Sequence, residues 1–139
     1  LTLNNAAEIS NRLEEIMQQF QLKRIVESPN IEALQFFRDK DFKISYYLPR
    51  SFDKDSETLT STLKMIKSHL NEFKVNYLSA EMNKYPLIKQ YFPNQNLLFW
   101  SPRGTFHSKY FIDSWNRNLI LNDPKVEILL VRVDFYSGC

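Results

Sequence analysis

Several apolar runs in this 139-residue sequence end in side chains that can bind or polarise a ligand. They are Glu27-Ser28 after Ile25-Val26, the pair Tyr46-Tyr47, Ser79 with Glu81, Trp100-Ser101, and Arg132 with Asp134. In parallel α/β architectures ligands gather at the carboxyl ends of the strands, so these are the candidate binding positions. A carboxylate emerging from an apolar run, as Glu27 does, is costly to bury alone and calls for a cation, whether a metal, an arginine or a lysine. A salt bridge to Arg132 would meet that need as well as a metal, and Glu81 and Asp134 are read as partners in such bridges. Tyr46 and Tyr47 point to opposite faces of a strand, so only one can reach a site, where its hydroxyl would donate to an anionic oxygen. Trp100 either fills the interior or forms a wall against the apolar part of a ligand.

Other chemistries are excluded by what the sequence lacks. Gly104 and Gly138 are the two glycines present, too few for a phosphate-cradling loop or a dinucleotide fingerprint. His69 and His107 have no partners at metal-ligand spacing, and the single Cys139 can build neither a zinc site nor an internal disulfide. His69, beside Leu70 near a helix end, is expected to be solvated or to face the helix dipole. His107, just after an apolar run, is the better site candidate. A restriction-type nuclease needs an acidic residue followed by a Glu-x-Lys strand, and no such pair stands out. A net charge of +2 gives no reason to expect nucleic acid or an anionic membrane as partner. No run reaches the eighteen or so apolar residues of a membrane span, and Leu1 to Glu8 lack the basic-then-apolar order of a signal peptide. The opening Leu1-Thr2-Leu3, without a methionine, carries the expectation of a piece of a longer protein.

The elements that must position these residues are legible as periodicity. Asn5 with Glu8 reads as a capping box for a first helix to Phe20, whose apolar face is Ile9, Leu13, Ile16, Met17 and Phe20. Arg24 to Glu27 is a first strand, stopped by Ser28-Pro29-Asn30. Asn30 caps a second helix bearing Ile31, Leu34 and Phe37, which runs to the charged turn Arg38-Asp39-Lys40-Asp41. Phe42 to Leu48 is a second strand closed by Pro49. A third helix starts at Asp55 or Ser56 and repeats Leu59, Leu63, Ile66 and Leu70. Phe73 to Leu78 reads as strand three and Pro86 to Tyr91 as a short helix. Leu97 to Trp100 is strand four, Phe106 to Leu121 a helix, and Val126 to Val133 strand five.

Hydrophobic residues make up 43% and aromatics 14% of the chain, enough for a packed core. Strand and helix alternate without an Asn-Gly or Asp-Gly hairpin signal, so the strands should pair in parallel. The expected fold class is therefore α/β with about five parallel strands, as a single domain over residues 1–139. Such strands can form an open doubly wound sheet or an arc of a barrel.

Three stretches carry a family likeness: Ile25 to Asn30 leading into Ala33 to Arg38, then Leu98-Phe99-Trp100-Ser101, then Ile128 to Asp134. They resemble the fourth, seventh and eighth strands of the PLC-like phosphodiesterase barrels, the glycerophosphodiester phosphodiesterases and the related menorin family. Pro29 stands where the former group has phenylalanine, and Ser101 where it has threonine. The resemblance implies the C-terminal half of a (β/α)8 barrel that hydrolyses a phosphodiester small molecule or lipid head group, using a histidine pair and a divalent metal, Mg or Ca. Those catalytic groups belong to the first three strands of the family, so this chain alone is expected to be inactive. The positions carried over are pocket walls: Glu27, Ser28, Trp100 and Ser101, joined by Tyr47 from the strand reading. The competing expectation is a self-contained, non-catalytic α/β binding or interaction domain. A half barrel leaves two strand edges open, so it should pair with a missing N-terminal half or form a homo-oligomer.

Overall fold

The computed structural model describes residues 2–18, 20, 24–100 and 114–130, with backbone alone at 114–117 and 130. The fold is α/β: α1 (Leu3–Met17), β1 (Ile25–Ser28), α2 (Ile31–Arg38), β2 (Lys43–Tyr47), α3 (Leu59–Glu72), β3 (Tyr77–Glu81), α4 (Tyr85–Tyr91), β4 (Leu97–Trp100), α5 (Ser114–Asn122) and β5 (Val126–Leu130). One tight helical turn, Met82–Lys84, precedes α4. Every strand pair described is parallel. None of the described helices is long and apolar enough to cross a membrane.

The chain divides into two compact units, Leu1–Ser79 and Ala80–Cys139. In the first, β1 pairs with β2 and β2 with β3, in chain order. In the second, β4 pairs with β5, with an irregularity between Leu97 and Leu98.

The first unit is built on one side of its strands. Residues alternate between the faces of a strand, and partners in a parallel ladder share a face. Val26, Ile44, Tyr46 and Leu78 therefore lie together, and this is the face the helices cover. Ala6 of α1 and Ala33 and Phe37 of α2 form a buried cluster with Phe42, against which Val26, Ile9 and Leu13 pack. The ring of His69 in α3 meets Tyr46 of β2 edge-on at 5.6 Å. All three helices thus bury against the same face.

Local chemistry sets where each helix starts and stops. The Thr2 backbone N–H donates to Asn5 Oδ1 at 3.0 Å, so α1 begins at Leu3, one turn nearer the N-terminus than an Asn5 cap would place it. Asn5 is the returning member of the box and not its cap. Because α1 presents Ala6 and Ser10 to the core, Ile16 and Phe20 of the expected apolar face stay about half exposed. Arg24 donates to the Met17 carbonyl at 3.1 Å, satisfying one of the open carbonyls at the end of α1, and its guanidinium lies 5.7 Å from the centre of the Phe42 ring. Lys40 reaches from the α2 end to Asn11 (2.6 Å) and Glu14 (2.9 Å) of α1.

The third strand differs from its expected span. Phe73 is consumed by the end of α3, where its N–H donates to the His69 carbonyl at 2.8 Å and its ring packs edge-on against the His69 ring. Asn76 then anchors the strand start, accepting from the Ile44 N–H at 2.8 Å and donating to the Ile44 carbonyl at 3.0 Å. The strand consequently runs to Glu81, beyond the expected Leu78, with its ladder to β2 reaching Ser79. Residues 106–113 of the expected fourth-strand helix and 131–133 of the expected last strand lie outside the described residues.

Truncating Phe37, which is fully buried between α1 and β2, should cost about 3–5 kcal/mol. Denaturant unfolding of Phe37→Ala checks this; a loss under about 1 kcal/mol would show that the α1–α2 cluster does not hold the first unit.

Candidate functional site

The face of β1, β2 and β3 opposite α1, α2 and α3 carries a polar row. Glu27 is paired in register with Ser45, Ser45 with Tyr77, and Tyr47 with Ser79, so all five side chains share one face. Glu27 is exposed and Tyr47 half-buried, whereas Ser45, Tyr77 and Ser79 are buried. The hydroxyls of Ser45 and Ser79 are sealed from solvent without a hydrogen-bond partner. A buried polar group left in that state costs about 1–3 kcal/mol.

The structure thus brings together three of the strand-end candidates, Glu27, Tyr47 and Ser79, and adds Ser45, which the reading of strand ends had passed over. Glu27 is exposed, so the burial that would oblige it to meet a cation does not arise, and among the described residues no ion pair reaches it. Ser28 goes elsewhere. It is buried on the helix-covered face, and its Oγ accepts from the Asn30 N–H at 3.0 Å. Asn30 Oδ1 in turn accepts from the Ala33 N–H at 3.1 Å, which caps α2. Trp100 ends β4 in the second unit, half-buried and in register with Leu130. Glu81 ends β3, also half-buried. Ser101, His107, Arg132 and Asp134 lie outside the described residues.

Tyr46, opposite in direction to Tyr47, serves the helix side. Its buried hydroxyl lies 3.2 Å from His69 Nδ1, and burial pushes that hydroxyl's pKa up. His69 is therefore a partly buried packing partner in the last turn of α3, the helix-end position expected of it, and not a solvated residue. With Pro29, Asn30, Ile31 and Glu32 it borders an open depression of about 460 Å³ on the helix side.

The second unit holds a different ionic arrangement. Asp123 accepts from Lys89 Nζ at 2.8 Å, from the Tyr85 hydroxyl at 3.0 Å and from the Lys125 N–H at 2.8 Å. Burial works to raise the Asp123 carboxyl, but the hydrogen bonds from Lys89, Lys125 and Tyr85 and the Lys89 charge together hold it below the usual carboxylate range. Tyr85 is pushed up to about 12 by burial and by Asp123. Every oxygen of Asp123 is thereby engaged in joining α4 to the turn before β5, a structural role.

Comparison of the chain with protein-family models, with curated proteins and with solved structures gives no match. The class is accordingly the one the fold itself defines, an α/β chain of parallel strands with helices alternating between them.

Asp123 fixes a pH dependence whose sign follows from its lowered pKa. A carboxyl held lower in the folded state stabilises the protein above its unfolded value near 3.8, and that contribution disappears as pH falls through the folded value. Thermal unfolding should show a drop below about pH 4 that is smaller in Asp123→Asn, which loses the charge at every pH. Equal acid sensitivity in both proteins would remove Asp123 from the account.

Proposed function

We propose that this chain is the C-terminal half of a phosphodiester-hydrolysing (β/α) barrel, and that its polar strand face lines the substrate pocket. The observation that carries this reading is the common side taken by the described helices of the first unit: α1, α2 and α3 bury against the Val26–Tyr46 face, and Glu27, Ser45, Tyr47 and Ser79 occupy the other. A doubly wound sheet places helices on both faces, whereas a barrel keeps them outside and turns the other face inward. Chain-order pairing of β1, β2 and β3 supports the same choice, because it contains no reversal of strand order. The sequence likeness to the phosphodiesterase barrels supplies the reaction class.

The divalent cation of those enzymes does not fit the described residues. Among them no three His, Cys, Asp or Glu side chains come together, and Glu27 is the single carboxylate of the row in the first unit. Metal and acid–base groups are therefore placed, on this reading, beyond the described residues. Here Tyr47 would donate a hydrogen bond to the substrate, and Glu27 would accept one from its alcohol groups.

The longer protein should hydrolyse glycerophosphodiesters in the presence of Mg or Ca and lose activity to a chelator. Tyr47→Phe and Glu27→Gln should each raise KM about tenfold while leaving kcat within a few-fold, as expected for wall residues. An upstream sequence without a histidine pair and clustered carboxylates, or ligand binding without turnover, would replace the enzyme reading with that of a binding domain.

A further inference from the structure

We propose that Ser45 and Ser79 form a binding site for a neutral, hydroxyl-rich ligand such as a polyol or sugar. Alanine would fill either position at nearly the same volume and leave no hydroxyl stranded, so each serine lowers stability for no gain within the fold. Two such hydroxyls on one face of adjacent strands form a pattern. Ser45 is in register with Tyr77, and Ser79 lies two residues further along β3, which sets the two Cα positions about 8 Å apart. Two hydrogen bonds of about 2.8 Å and an intervening pair of neighbouring hydroxyls fill that span.

The surroundings select the ligand class. A serine hydroxyl donates and accepts without carrying charge, which suits alcohols in either role. Tyr77 and Tyr47 place aromatic rings in the same row, and Glu27, beside Ser45, offers a carboxylate to accept from further hydroxyls. Among the described residues paired on this face of the first unit, the cation is the exposed Lys43, in register with Ile25 and two residues before Ser45. A row with a carboxylate beside one serine and, among the described residues, no cation beside either suits the neutral, hydroxyl-bearing part of the substrate under the proposed function better than its phosphate. Each sealed hydroxyl also has a neighbour in register across the ladder that is not fully buried, Glu27 for Ser45 and Tyr47 for Ser79.

The test uses the protein that carries this chain, with myo-inositol as probe and inorganic phosphate as the anionic comparison. Without ligand, Ser45→Ala and Ser79→Ala should each raise Tm by about 3 °C or more. Myo-inositol should raise the Tm of the unaltered protein, and the concentration needed should increase about tenfold in either variant. Three results would overturn the site: a lower Tm in the variants, which would show both hydroxyls bonded within the fold; equal response of all three proteins to inositol; or stabilisation by phosphate and not by inositol. No turnover enters these measurements, so an inactive parent protein leaves the outcome informative.

Discussion

Parallel pairing imposes a division of labour on β1, β2 and β3 that the rest of the first unit obeys. Each residue in register shares a face with its partner, so Val26, Ile44, Tyr46 and Leu78 form one continuous surface and Glu27, Ser45, Tyr47 and Ser79 another. The helices settle on the first of these because it is the apolar one. Ala6 and Ala33 are small enough for α1 and α2 to approach closely there, and Phe37 fills the space between them and Phe42. Burial of that surface is the main favourable term, and it leaves the polar row to be specified by something other than packing.

The second unit solves its polar problem differently. Asp123 is partly buried, and both its oxygens have donors and a lysine supplies the opposite charge. Ser45 and Ser79 in the first unit are more fully enclosed and have none. Natural interiors rarely leave a hydroxyl stranded, and the contrast within one chain separates polar atoms that hold structure from polar atoms kept for another use.

Much of this architecture was readable from residue order. The alternation Lys43-Ile44-Ser45-Tyr46-Tyr47-Leu48 announces a strand, and Leu97 to Trp100 matches its expected bounds. Asn30 was legible as a cap because its side chain acts within its own turn. Other features depend on distant contacts and were not. Phe73-Lys74-Val75 has strand-like composition, but tertiary contacts assign Phe73 to the end of α3 and delay the strand to Tyr77. Of the expected wall residues, Glu27 and Tyr47 fall together because odd positions share a face, and Ser28 does not because its parity is even and its hydroxyl shapes the turn. Ser79 was among the strand-end candidates, whereas Ser45 was signalled only by the same parity, which a reading confined to strand ends overlooks.

The alternation of β2 also protects its alignment. Sliding this strand by one residue would turn Ser45 and Tyr47 toward the helices and bring Ile44 and Tyr46 into the polar row, where Tyr46 would lose the His69 ring. Uniformly apolar strands allow such a shift at small cost. Here a one-residue slip would strand polar atoms on one side and expose aromatic surface on the other, so the composition of five residues opposes it.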